Sequence, residues 1–463
     1  ATLDLPNKGL MDALAHREIQ EGFLTSGGPQ HVSNLAWAYA TLAFRPPALM
    51  AALATLQLPG NMIARFTSQE TANTLWAFAN LEIGGPGDPP GPLVAALTLH
   101  MVDVASVSNC QEISSTIWAL ATLGRRDATV LQALTARLRE ADVFRSCTAQ
   151  GLSIIPWGLA TLGVQDRATV LALARRAVQE EVLPTVGVQA VSNLLWALAR
   201  LGIRDYEVSV RLITRLWDPN VLPSITNHAI VSIMWACAHL GIRHEKLVTL
   251  LSEVILRDGL VQSFDSREVA NCAWAEAVFG SLQDDLLAGL LQRVRALEDW
   301  SDVQQQSQLH QLFIHIRLHQ EELPKSMTAM DALGDFPARC QATFHAAAQD
   351  STQSMLQQEV MATIRELGLE GQQEVLLTDA GGYTADVLLA DWNTVVEVDG
   401  PSHFVQDREQ WMPTGATLLK HRQLQRLGYE VITVPFYEWM ALEDSASRRE
   451  YMADLIDDTV AGL

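Results

Sequence analysis

The chain has 463 residues, of which 48% are hydrophobic and 18% charged, so it can bury a large core and is not a disordered polymer. Lys and Arg number 32 against 53 Asp and Glu, a net charge of −21. That balance argues against strong non-specific nucleic-acid binding, which rests on neutralising phosphates, but leaves room for a local groove.

No apolar run reaches transmembrane length, so no membrane partner is expected. The five cysteines, Cys110, Cys147, Cys237, Cys272 and Cys340, form no CxxC pair. They read as buried reduced thiols of a reducing compartment rather than a zinc site or a disulfide framework. No Arg-rich, acid-poor transit segment opens the sequence, and a start at Ala1 rather than Met suggests a trimmed or partial chain.

Residues 1–30 read as a lead-in with a capping helix around Asp12-Ala13-Leu14. From residue 31 to 320 a repeat governs the chain. Near-copies of WALARLG open at Trp37, Trp76, Trp118, Trp157, Trp196, Trp235 and Trp274, at intervals of 39, 42, 39, 39, 39 and 39 residues. A further step of 39 reaches Phe313. A fixed period of this size marks a helical solenoid, here of about seven to eight repeats.

In the unit around Trp196, Val191, Leu194, Leu195, Leu198 and Leu201 fall on one face of a helix that stops at Gly202. A second apolar run begins after Asp205. Each repeat therefore predicts helix A, a Gly turn, helix B and a longer return, and each pair must stack on its neighbours to bury its faces. The 42-residue interval comes from GGPGDPPGP at 84–92, expected as a surface loop between the two helices.

Numbered from the Trp, position −3 holds Asn34, Asn73, Ser115, Ile154, Asn193, Ser232 and Asn271. Position +4 holds Thr41, Asn80, Thr122, Thr161, Arg200, His239 and Val278, and position +1 is Ala except at Gly158. One reading is a row of RNA-base contacts, Asn193, Arg200 and His239 among them, with small residues letting a strand approach. The other is an Asn/Ser ladder hydrogen-bonding between adjacent A helices. The Trp is assigned first to packing between repeats and second to base stacking.

Residues 321–350, with Pro324 and Pro337, read as a connector after an atypical last repeat. A helix is predicted over 351–368, with Ser351 as its cap and Gly368 as its stop. The grammar then changes. VLLT (375–378), YTADVLLA (383–390), TVVEVDG (394–400) and VITVPF (431–436) read as strands, and KHRQLQRLGYE (420–430) as a helix. Residues 351–463 thus form an α/β domain of about 110 residues.

The ordered run D-V-L-L, V-V-E-V-D-G-P-S-H-F, T-G, L-L-K-H-R-Q-L and L-G-Y-E-V-I-T-V-P-F-Y-E-W, over about 383–441, resembles the RAP domain. The Trp repeats are similar to the helical repeats of FAST-kinase-like and octotricopeptide-like proteins, without the Pro-rich PPPEW-type signature of the algal class. The resemblance implies a nuclear-encoded organellar protein, the mitochondrion ahead of the chloroplast, acting in RNA processing, stability, translation or ribosome assembly. It also implies a restriction-endonuclease-like fold for the RAP segment, in which strand carboxylates hold a divalent metal that activates water.

On that pattern Asp386, Glu397 and Asp399 are the catalytic candidates, and Asp386 and Glu397 the ligands of a Mg²⁺ that could bind though none is required. His403, Lys420, His421 and Arg422 are the RNA-binding candidates. Asp399 stands where the nuclease pattern places a Lys, so a working cation would have to come from His403 or Lys420. Three functions follow: an RNA-binding factor for organellar mRNA or rRNA, a structural subunit among ribosomal proteins, and a metal-dependent RNA endonuclease. Efficient cleavage is not expected.

Overall fold

A computed structural model describes residues 8–20, 22–85, 87, 91–257, 259–349, 354–379 and 381–460. It divides into two compact units, Ala1–Leu201 with Val210–Pro223 and Gly202–Ser209 with Ser224–Leu463.

In the first unit five A helices follow the Trp period: α1 (Gly28–Thr41), α2 (Ser68–Asn80), α3 (Cys110–Thr122), α4 (Ala149–Thr161) and α5 (Val188–Arg200). Each packs on the next, and helices such as Pro92–Val104 and Ala128–Leu138 return the chain. Their starts are local chemistry. Thr67 with Glu70 and Asn109 with Glu112 form reciprocal capping boxes nine residues ahead of Trp76 and Trp118. Their ends share one device. The residue six past each Trp is left-handed, whether it is Gly124, Gly163 and Gly202 or the non-glycines Ala43 (φ 49) and Glu82 (φ 57). Of the 84–92 loop, Pro86, Asp88, Pro89 and Pro90 lie outside the described residues.

The small +1 residues do not open the face to a strand. Ala77, Ala119 and Ala197 are fully buried, and a Cβ on Gly158 would lie 2.5 Å from Ile117 Cγ2. They let neighbouring A helices approach each other. The cysteine expectation is also corrected. Cys110 and Cys147 form a disulfide, while Cys237, Cys272 and Cys340 are free and buried. Their separation of 37 residues is close to one repeat, which puts both at the same end of adjacent A helices with Cα atoms 5.4 Å apart.

The second unit continues the pattern with α6 (Asn227–His239), α7 (Ser266–Phe279) and α8 (Val303–Leu318), the last carrying Phe313. The stretch expected as a connector is helical: Pro324–Asp331 and α9 (Phe336–Gln349), which packs on α8 as one A helix packs on the next. Pro324 and Pro337 sit in first turns, where a missing N–H costs nothing, so they open helices instead of breaking them.

The α/β layer begins at α10 (Met355–Glu366), capped by Ser354 with Gln357; Ser351 lies outside the described residues. Two sheets follow. β1 (Ile203–Arg204), β5 (Phe404–Asp407) and β6 (Gln410–Pro413) form the smaller, in the order β1-β5-β6. β2 (Gln372–Leu377), β3 (Tyr383–Leu389), β4 (Thr394–Asp399) and β7 (Glu430–Pro435) form the larger, in the order β2-β3-β4-β7. In the larger sheet the β4–β7 pair is parallel and the others antiparallel; in the smaller, β1–β5 is parallel and β5–β6 antiparallel.

α10 and α12 (Ser445–Val460) cover one face of the larger sheet through Val360, Ile364, Val396, Ile432 and Ile456. α8 and α11 (Gly415–Arg426) cover the other through Ile314, Val395 and Leu424. All six residues of β4 are buried, which is why its apolar run carries chemistry only where it ends.

The last helical pairs and this layer are joined by polar contacts. Trp274 Nε1 donates to Gln311 (3.0 Å), Gln311 to the Tyr383 hydroxyl (3.1 Å), Tyr383 to Gln423 (2.7 Å), and Gln423 back to the Gln311 carbonyl (2.9 Å). Gly415 is required here, because a Cβ would stand 1.9 Å from the Ala238 carbonyl oxygen.

Candidate functional site

β3 and β4 bring the three acidic candidates together. Continuing the register Val387↔Val396 sets Asp386 opposite Glu397, and Asp399 lies two residues on, on the same face. Lys420 reaches in from α11: its ammonium donates to Glu397 Oε2 at 2.5 Å and to the Thr384 carbonyl at 2.9 Å. The cation that the sequence lacks on β4 is thus supplied by the helix. Lys420 does not open that helix, which begins five residues earlier behind the Thr414 cap.

Burial pushes the Glu397 carboxyl up to about 7, with Asp386 and Asp399 adding to the rise and Lys420 opposing it. Asp399 is buried and binds His403 Nδ1 at 3.0 Å, and that hydrogen bond raises the His403 pKa. His421 Nε2 lies 3.6 Å from Asp399, and burial lowers the His421 pKa.

A cavity of about 370 Å³ opens onto the cluster, lined in part by Glu374, Thr384, Asp386, His403, Thr417 and Lys420. Glu374 was not legible in the sequence. It occupies the β2 register position opposite Asp386 and is held in the left-handed region at φ 51. Partial burial, then Asp386, raises its pKa.

The acidic residues do not fit a metal centre as they stand. Asp386 Oδ1 accepts from the Gln357 amide at 2.8 Å and Oδ2 from the Val398 N–H at 2.7 Å, while Lys420 occupies Glu397 Oε2. Among the described residues no group of three or more His, Cys, Asp or Glu side chains is placed to hold an ion. Glu397 Oε1 and Asp399 Oδ2 remain buried without a hydrogen-bond partner there.

The expected RNA-gripping cations mostly face inward. Arg422 donates to the Val278 carbonyl at 2.9 Å and to the Ala277 carbonyl, so its guanidinium closes the end of α7. Lys420 is committed to Glu397 and His421 is largely covered; only His403, 43% exposed, stands at the rim. Elsewhere arginines serve the repeats. Arg45, Arg167 and Arg204 each donate to a carbonyl at the C-terminal end of the following A helix. Arg137, Arg215 and Arg293 each donate through Nε to a carbonyl 29 residues earlier.

The face of the A helices that bears the Trp is different. The seven tryptophans occupy equivalent places; Trp274 is 5% exposed, Trp37 is 37% exposed and the others lie between the buried and exposed classes. Trp76 and Trp118 come within 6.3 Å of each other. The Asn/Ser ladder does not form: among the described −3 residues only Asn271 bonds to a neighbouring A helix, through Gln308 at 3.0 Å. Asn193 is half-buried and Arg200 exposed on the same face of α5, while His239 stacks on Trp235 at 5.1 Å.

Residues 396–455, which hold Glu397, Asp399, His403 and Lys420, match the family model of the RAP domain. The chain carries a RAP domain. Residues 1–206 match the family model described as RNA-editing substrate-binding complex 6 protein. A rice (Oryza sativa subsp. japonica) relative named "RAP domain-containing protein, chloroplastic" is 32% identical over 103 residues, which are 22% of this chain and 15% of the relative. The match therefore spans only a small part of that protein. No helix among the described residues is long and apolar enough to cross a membrane.

Proposed function

We propose that this protein is an RNA-binding factor of organellar RNA processing, with the helical repeats contacting single-stranded RNA and the RAP domain standing beside them as a non-cleaving module. The observation that carries the reading is the pairing of the two matches. A RAP domain occurs at 396–455 and an RNA-editing substrate-binding complex family covers 1–206. The part-exposed tryptophans and the polar residues beside them on the A helices support it from the geometry. Placement in an organelle rests on the chloroplastic designation of the rice relative and on the RNA-editing family.

The test is fluorescence anisotropy of the full chain with labelled single-stranded RNA, double-stranded RNA and single-stranded DNA across a salt series. Single-stranded RNA is expected to bind tightest, with a shallow dependence on salt, because a net charge of −21 disfavours phosphate contact. Equal affinity for all three would refute the reading.

One observation favours a second reading. Lys420 at 2.5 Å from Glu397 gives the cluster the cation that a nuclease of this fold needs. Against it, Asp386 spends both oxygens on protein donors and Lys420 is held in an ion pair. Labelled RNA with Mg²⁺ or Mn²⁺ is expected to stay intact over hours; cleavage lost in both Asp386→Ala and Glu397→Ala would make the enzyme reading the better one.

A further inference from the structure

A column of glutamines runs beside the tryptophans of the first unit. Seven residues before each Trp stand Gln30, Gln69, Gln111, Gln150 and Gln189, one in each of the five repeats. Positions −7, −3 and 0 share a helix face. All five glutamines are exposed, and among the described residues none of their side chains has a hydrogen-bond partner. Five repetitions of one neutral donor–acceptor side chain, unused inside the protein, are not explained by packing.

The same columns line a cavity of about 660 Å³, with Gln111, Gln150 and Gln189 along it, Ser115 between them and Trp76 and Trp118 at one end. No charged side chain lines it, in a chain of net charge −21. A polyanion approaching here meets none of the carboxylates that would repel it elsewhere, and no cation to grip its phosphates. Amides match the edges of bases, which offer a donor and an acceptor side by side, and part-exposed indoles match their faces. The Cys110–Cys147 disulfide holds the starts of α3 and α4 together directly beside Gln111 and Gln150.

Resting on the RNA-binding reading above, we infer that this groove reads unpaired RNA bases one per repeat, each −7 glutamine bonding a base edge and the Trp face supporting the stack. Helical repeats that spend a few side chains on each base are a known means of reading RNA. Sequence preference then resides in the glutamine column, and phosphate contacts contribute little within the groove.

The test is anisotropy of the full chain with labelled 12-nucleotide homopolymers of A, C and U, comparing wild type with the triple variant Gln111→Ala, Gln150→Ala, Gln189→Ala and with Trp118→Ala. The triple variant should weaken the tightest homopolymer by about tenfold or more and narrow the spread among the three. It should keep the salt slope and the melting temperature, because the side chains are exposed and uncharged. Trp118→Ala should weaken all three homopolymers alike. Absence of binding by the wild-type chain would overturn the RNA-binding reading and this inference with it. Wild-type binding that the triple variant retains would overturn this inference alone, leaving the groove to another occupant such as an extended peptide. A changed salt slope would also overturn it, by placing phosphates in the groove.

Discussion

Glu276 is an ionisable group in the core of the second unit, and its neutralisation gives a prediction with a definite sign. It lies two residues past Trp274, where the preceding repeats place Tyr39, Phe78, Leu120, Leu159, Leu198 and Cys237. Its side chain is fully buried, with Ser252 Oγ 3.5 Å from Oε1 and no partner for Oε2 among the described residues. Burial raises its pKa from 4.5 to about 7, against the weaker pull of hydrogen bonds from Ser281 and Ser252. The folded state therefore holds the proton more tightly than the unfolded chain. Stability from this site is complete below pH 4.5 and is lost as pH rises through about 7. The gap corresponds to about 3 kcal/mol. Glu276→Gln keeps the shape and cannot ionise. Urea unfolding of both proteins at pH 4.5 and pH 8.5 should show the variant gaining about 3 kcal/mol relative to wild type between the two conditions, whatever constant offset the amide introduces. An equal difference at both pH values would refute the reasoning, because it would mean that Glu276 is not held neutral by the core.

The ion pair and the tryptophans give two further expectations. Lys420→Ala leaves the buried Glu397 without its cation and should cost roughly 3–5 kcal/mol by urea unfolding, whereas adding Glu397→Gln should recover most of that loss; a single variant as stable as wild type would show that the pair contributes nothing. Trp274→Ala removes a buried ring that donates to Gln311 and should cost about 3–5 kcal/mol, whereas Trp196→Ala, on the half-exposed face, should cost roughly half as much or less, and equal losses would contradict their different burial.

The repeat was legible because periodicity is a property of order along the chain. A step of 39 residues sets the same apolar face, a helix start about nine residues before the Trp and the same left-handed residue six after it. The four strands of the larger sheet were legible for a similar reason, and Asp386, Glu397 and Asp399 do converge as their alternation requires. What escaped depends on contacts between distant segments. Nothing near Glu374 in sequence tells that β2 sets it opposite Asp386. The hairpin β5–β6 is short and carries charges, and it gains a third strand from residues 203–204, two hundred positions away. The inward direction of Arg422 is hidden for the same reason, since its partners are carbonyls 144 and 145 residues upstream. The glutamine column was written in the period all along, but exposed amides carry no hydropathy signal to draw attention to them.

The placement of the cations bears on how an acidic chain can have the proposed RNA role. Arginines that would ordinarily be counted toward phosphate contact are spent on carbonyls: Arg45, Arg167 and Arg204 at the ends of A helices, Arg137, Arg215 and Arg293 at the turns before them, and Arg422 on α7. Each such bond satisfies a group that would otherwise be left open at a helix end, so the repeat itself consumes positive charge as it extends. In the glutamine groove, which no charged side chain lines, affinity for RNA then comes from neutral groups. Affinity of that kind is weak for a generic polyanion and depends on which bases are presented, because hydrogen bonds to base edges carry the sequence information that phosphate contacts lack. A net charge of −21 therefore acts in the same direction as the glutamine face: it suppresses non-specific association and leaves base recognition as the term that decides binding.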